Sequence, residues 1–87
     1  MKEITFPVGM NPVGFFGVND ANLELIRKKF PGLRIISRGN DLKILGDEAQ
    51  IALVQEKLEM LLAGYEKAGH LDERTVTEIL ENNGSQD

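Results

Sequence analysis

Cysteine and tryptophan are absent from this 87-residue chain, and histidine occurs once, as His70. The lack of cysteine excludes disulfide frameworks, cysteine-ligated zinc and cysteine nucleophiles, and it suits a reducing compartment, for which we expect the cytoplasm. A single histidine without cysteine does not define a metal site. No apolar run approaches the ~20 residues that span a bilayer, and the N-terminal residues lack the pattern of a signal peptide. We therefore expect no membrane partner.

Groups of side chains that carry out catalysis are missing as well. Ser37, Ser85 and the threonines have no base nearby in the sequence, and the carboxylates of the C-terminal half are spread by helical spacing. No G-x-x-x-x-G-K-[ST] phosphate loop occurs. We expect no enzymatic activity and no cofactor in this chain.

Positive charge is scarce overall but unevenly placed. The net charge is −4, yet residues 1–46 hold seven Lys/Arg against four Asp/Glu, while residues 47–87 hold three against ten. An anionic partner should therefore meet the N-terminal half.

Apolar spacing and capping residues predict the elements of the N-terminal half. A strand is expected at residues 4–6, and a short helix from Pro12 to Phe16 behind an Asn11 N-cap. A second helix should begin at Asn19 or Asp20 and end before Pro31. Strands at 33–37 and 42–45, joined by a turn at 38–41, should form a hairpin. Period-2 alternation places one apolar set on one face (Leu33, Ile35, Leu42, Ile44) and a mixed set on the other (Arg34, Ile36, Arg38, Lys43, Leu45).

The C-terminal half carries the strongest helical pattern. Asp47 is the expected N-cap of a helix of roughly five turns. Its buried stripe is Ile51, Val54, Leu58, Leu61 and Tyr65, widened by Leu53, Met60 and Leu62. A last helix should start behind Asp72 and bury Val76, Ile79 and Leu80, followed by a polar tail. The order β-α-α-β-β-α plus one helix predicts a two-layer α+β domain, with helices packed on one face of a three-stranded sheet.

Three segments in this order, "FFGVNDANLELI", "LRIISRGNDLKILGDE" and "HLDERTVTEIL", carry a resemblance. The element order with a glycine turn between the first two helices resembles a KH domain of type I topology. The chain as a whole is similar to the N-terminal KH-like domain of PhoH-family proteins, which precedes a P-loop ATPase domain.

The resemblance implies a division of the chain and a set of partners. It implies a KH-like domain at 1–69, an additional helix at 70–82 packed on it, and a linker at 83–87 toward an ATPase domain. ATP and Mg would bind only in that further domain. Implied partners are single-stranded RNA, the ATPase domain itself and further copies of the full-length protein in an oligomer.

The glycine turn Gly17-Val18-Asn19-Asp20 lies where a KH domain has its G-x-x-G loop, which clamps the backbone of about four nucleotides. Here Asp20 replaces the second glycine, and the intervening Val18 and Asn19 carry no positive charge. Two interpretations stay open: a weakened RNA-binding loop, or a tight turn in which Asp20 caps the following helix.

The basic residues also allow two interpretations. Contacts with RNA phosphates would come from Arg27, Lys28, Arg34, Arg38 and Lys43. The alternative is a solvated surface, because no aromatic residue is interleaved with these cations to stack on bases. The leading hypothesis is a non-catalytic accessory domain with weak affinity for single-stranded RNA. The alternative is a protein-interaction module that docks on the ATPase domain or assembles an oligomer, using Ile36 and Leu45 as contact residues.

Overall fold

The computed structural model describes residues 1–7 and 9–81. These residues form a small α+β domain in which helices cover one face of a three-stranded antiparallel sheet. The strands are β1 (Lys2–Thr5), β2 (Arg34–Arg38) and β3 (Asp41–Leu45), and the helices are α1 (Pro12–Phe16), α2 (Ala21–Lys29), α3 (Glu48–Ala68) and α4 (Glu73–Glu81). The expected tail at 83–87, together with Asn82, lies outside the described residues.

The sheet has the order β1-β3-β2, so the first strand pairs with the third. Ile35 of β2 stands opposite Ile44 of β3, and Ile4 of β1 stands opposite Leu42. The two edge strands, β1 and β2, begin at Lys2 and Arg34, whereas the sequence predicted starts at residues 4 and 33. β1 begins at Lys2 because this residue already pairs with Ile44, and it ends before Phe6, whose N–H donates to the carbonyl of Asn40 (2.8 Å).

The predicted division of the hairpin into two faces is confirmed. Ile35, Leu42 and Ile44 are buried beneath the helices, whereas the residues that alternate with them lie on the uncovered face. Four aromatic rings extend this core: Phe15 stands 5.1 Å from both Phe6 and Phe16, and 5.9 Å from Tyr65, measured between ring centroids. Their edge-to-face and tilted arrangement is the favourable geometry for aromatic pairs.

Capping residues set the ends of α1 and α3 as predicted. The side chain of Asn11 accepts a hydrogen bond from the N–H of Val13 (3.1 Å), and that of Asp47 accepts one from Gln50 (3.2 Å). Gly69 ends α3 in the left-handed conformation.

Leu53 and Met60 were predicted to widen the buried stripe of α3, and this is wrong. They are 47% and 39% exposed. The buried stripe is centred on Val54, Leu58 and Leu61, and one residue turns a helix by about 100°, so Leu53 and Met60 fall on its flank. Leu62, on the other side, is half-buried against the core as expected.

Gly46 makes the sharp connection between β3 and α3. Its φ is +144°, a region that side chains rarely adopt. A Cβ at this position would lie 2.6 Å from Cδ2 of Leu33 and 3.2 Å from the carbonyl oxygen of Gly32. Both the backbone angle and the close approach therefore require glycine.

The last helix is integrated into the domain. Asp72 caps α4 by accepting a hydrogen bond from the N–H of Thr75 (2.8 Å), and Val76 and Leu80 are buried as predicted. The N–H of Leu71 donates to the carbonyl of Gly14 (2.9 Å), which ties the start of α4 to α1. No helix among residues 1–7 and 9–81 has both the length and the apolar content that crossing a bilayer requires.

Candidate functional site: the glycine turn and the basic surfaces

The glycine turn has an unusual backbone. Gly17 has φ +85° and ψ 166°, and Asn19 and Asp20 both have φ +58°. Residues Val18–Asp20 form a tight turn, closed by a hydrogen bond from the N–H of Asp20 to the carbonyl of Gly17 (3.1 Å). Left-handed conformations are tolerated best by glycine, asparagine and aspartate, which explains the composition of this turn. Val18 projects from it and is 72% exposed.

Asp20 does not cap α2 with its side chain, contrary to one of the two interpretations of the turn. No side-chain capping hydrogen bond forms at this helix start. A capping residue normally has an extended backbone, and Asp20 is left-handed instead, so its carboxylate is not positioned over the first N–H groups of the helix.

Asn22 is the important residue that the sequence did not reveal. It is only 2% exposed, and its Nδ2 donates to the carbonyls of Phe15 and Leu71, each at 3.0 Å. Gly17 packs directly on it, because a Cβ on Gly17 would lie 3.2 Å from Cγ of Asn22. One side chain thus joins α1, the glycine turn and the segment before α4. An asparagine near a helix start resembles an ordinary surface residue, and no local signal distinguishes this one.

A hollow of about 270 Å³ adjoins the turn. It is lined by residues of the turn and the start of α2 (Gly17, Val18, Ala21, Asn22) and by the segment that leads into α4 (Leu71, Asp72, Glu73). Hydrogen bonds from Thr75 lower the pKa of Asp72 below the ordinary 3.8, and the one from its backbone has a larger effect than the one from its side chain. The charges of His70 and Arg74 act in the same direction. The expected phosphate loop therefore has carboxylates beside it.

Arg27 connects α2 to the sheet. Its Nε and Nη2 donate to the carbonyl of Ile35 at 3.2 and 2.8 Å, and its Nη1 forms an ion pair with Glu24 at 2.6 Å. Glu24 and Arg27 lie three residues apart and therefore face each other on the surface of α2. This guanidinium occupies the outer edge of β2, and an RNA phosphate would compete with these contacts.

Arg34, Arg38 and Lys43 share the uncovered face of the sheet, as predicted, but they are not alone there. Glu3 stands opposite Lys43, and Asp41 stands opposite Arg38. Half-buried Ile36 lies in a depression of about 130 Å³ formed with these four charged residues. This face is therefore mixed in charge, because β1 and β3 contribute acids that the hairpin pattern alone did not place there.

The predicted site residues do not converge. Arg27 is separated from Asp20 by nearly two helical turns, about 10 Å along α2. Arg34, Arg38 and Lys43 lie on the opposite side of the sheet from the helices. Lys28 faces a third place, a cleft of about 220 Å³ between α2 and α4 that also includes Leu25 and Leu80.

Neither a metal centre nor a match to a known protein defines the site further. Within residues 1–7 and 9–81, no three His, Cys, Asp or Glu side chains are grouped so as to hold a metal ion. His70 lies exposed in the connection between α3 and α4. Comparisons with known protein families, curated proteins and solved structures find no significant match. The assignment of function therefore depends on the arrangement of elements and on these surfaces.

Proposed function

We propose that this chain is a KH-like domain of type I arrangement that serves as the non-catalytic N-terminal accessory domain of a PhoH-like ATP-binding protein. The observation that supports this proposal best is the order β-α-α-β-β-α together with the sheet order β1-β3-β2. The turn at Gly17 joins the first two helices, where a KH domain has its nucleic-acid loop. In this assignment residues 1–69 are the KH-like part, 70–82 add a helix, and 83–87 lead toward the ATPase domain.

The proposed activity is weak binding of single-stranded RNA. The N–H groups at the start of α2 lack a side-chain cap from Asp20, and Arg34, Arg38 and Lys43 provide a source of positive charge on the sheet. Three features keep the affinity low: the acids beside the turn, the acids opposite two of the sheet cations, and the use of Arg27 within the fold. The resemblance implies that ATP and Mg would bind in a following ATPase domain, and this chain itself has no phosphate loop.

Titration of a fluorescent single-stranded RNA at two salt concentrations tests this activity. Binding should be measurable at low salt and should weaken steeply as salt rises, because phosphate contacts release counterions. The variant Arg34→Glu/Lys43→Glu should abolish it, whereas Arg74→Glu, a cation on α4, should leave it unchanged. Absence of binding even at low salt would overturn the RNA assignment.

The second candidate is a protein-interaction module, and the sheet face favours it specifically. The cross-strand neighbours Glu3–Lys43 and Asp41–Arg38 surround Ile36, and Leu45 on the same face is 37% exposed. An apolar centre with charges of both signs suits a protein surface better than a polyphosphate chain.

Ile36→Asp in the full-length protein tests this candidate. The substitution should disrupt docking or assembly, seen as a smaller species on a sizing column, while the isolated domain keeps its fold because Ile36 is not a core residue. Arg34→Gln is the matched control on the same face. An unchanged elution volume for Ile36→Asp would contradict the module assignment.

A further inference from the structure

The hollow beside the glycine turn has an unusual chemical character. Its polar side chains, Asp72, Glu73 and Asn22, come from α2 and the start of α4, and no basic side chain is among the residues that line it. Its remaining side chains are apolar, with Val18 the most exposed of them. The hollow therefore presents an acidic rim with apolar contacts beside it.

Asn22 provides independent evidence for a missing donor. Both hydrogen bonds from its Nδ2 are made to carbonyl oxygens, which fixes the orientation of the amide. Its Oδ1 is buried and has no hydrogen-bond partner among the described residues. A buried acceptor without a hydrogen-bond partner destabilises the folded chain. What this site lacks is therefore an N–H or O–H donor, since every side-chain oxygen around the hollow is an acceptor.

We propose that this hollow binds a cationic nitrogen group, the Arg or Lys side chain of a basic protein segment. A guanidinium or ammonium group would pair with Asp72 and Glu73 and offer donors toward Asn22, while its aliphatic stem packs on Val18. A metal ion suits the site less well, because it offers two carboxylates and one of them already accepts the N–H of Thr75. Nucleic acid suits it least, because phosphates would meet the acidic rim.

The inference is independent of RNA binding by the sheet cations. A different surface and a partner of opposite charge are thereby assigned to the turn, which the resemblance to a KH domain associates with phosphates. The charge complementarity between an acidic hollow and a basic segment is what selects the occupant.

The test uses the whole chain and two synthetic probes. An acetylated Arg-Val-Arg amide is titrated while backbone and side-chain amide NMR signals are followed. The matched probe is the same tripeptide with citrulline in place of arginine, which keeps the shape and removes the charge. Shifts should be confined to residues 17–22 and 71–73, include the side-chain amide of Asn22, and be absent with the citrulline probe.

Substitutions then separate the hollow from general acidity. Asp72→Asn/Glu73→Gln, which retains a capping side chain at position 72, should weaken binding about fivefold at low salt because two nearby charges are lost. Glu59→Gln/Glu66→Gln removes the same charge from α3 and should leave binding within twofold. Equal binding of the citrulline probe, or an Asp72→Asn/Glu73→Gln variant that binds as tightly as the parent, would overturn the proposal. Chemical-shift changes at residues 17–22 and 71–73 with single-stranded RNA, but not with the arginine probe, would also overturn the proposal.

Discussion

Three segments of the chain meet at the side-chain amide of Asn22. Its two hydrogen bonds satisfy carbonyl groups at the end of α1 and before α4 that would otherwise be buried without partners. The residue thus has two effects of opposite sign on stability, because its Oδ1 is itself unpaired. The two satisfied carbonyls outweigh the single unpaired oxygen, since each loss costs a similar free energy.

Asn22→Leu should lower the free energy of unfolding by about 2 kcal/mol, because the carbonyls of Phe15 and Leu71 lose their donor. Urea denaturation measures the effect. Gln50→Ala, which removes an exposed amide from α3, is the control and should change stability by less than about 0.5 kcal/mol. If Asn22→Leu lowers the free energy of unfolding by less than about 0.5 kcal/mol, water replaces both hydrogen bonds.

Gly46→Ala should destabilise the domain by about 2–3 kcal/mol, because alanine adds both backbone strain and a clash with Leu33. Gly32→Ala is a close control: a Cβ there meets nothing within 4 Å. Thermal unfolding of the two variants side by side gives the comparison. Similar melting temperatures for both would contradict the clash at position 46.

At the scale of elements, the sequence predicted the parts that depend on local signals. Asn11, Asp47 and Asp72 were identified as caps, and alternation in the hairpin separated the buried face from the uncovered one. The errors concern tertiary structure. Only the packing partners of α3 decide that Leu53 is exposed, and only the strand order brings Glu3 beside Lys43. The candidate site was predicted less well than the fold, because Asp72 and Glu73, which lie beside the glycine turn, are far from it in the sequence.

The cap of α4 should make stability depend on pH. Asp72 has a lower pKa in the folded domain than its ordinary 3.8, so the folded state binds fewer protons there than the unfolded state. Its contribution is therefore present above about pH 4 and is lost as pH falls through the lower folded value. Asp72→Asn keeps a capping group that does not titrate.

Urea unfolding of the parent and Asp72→Asn across this pH range tests the dependence. The parent should be more stable near neutral pH, and the difference should shrink as pH falls below about 4. Glu59→Gln controls for the loss of one negative charge. A difference that stays constant with pH would mean that the charge of Asp72 contributes nothing to the folded state.

At the scale of the whole molecule, α4 is packed into the domain, and we expect it to unfold together with the rest. It packs against both α2 and α3, buries Val76 and Leu80, and supplies the Leu71 carbonyl to Asn22. Burial of these two apolar side chains contributes about 1.5–3 kcal/mol each, which is a large part of the entire stability of a domain this small.

A chain ending at Gly69 should therefore lack a cooperative unfolding transition, whereas a chain ending at Glu81 should retain it. Circular dichroism in urea, together with the dispersion of amide NMR signals, distinguishes the two. If the shorter chain unfolds cooperatively near the midpoint of the longer one, the domain boundary expected at residue 69 stands.

The sheet order β1-β3-β2 also has a consequence for the order of folding. β2 and β3 are joined by a short turn and can pair locally, whereas β1 pairs with β3 only by closing the long loop between Thr5 and Asp41. Contacts of β1 should therefore form late, after the rate-limiting step. Ile4→Val should then accelerate unfolding and leave the refolding rate almost unchanged, and a chevron plot would record this.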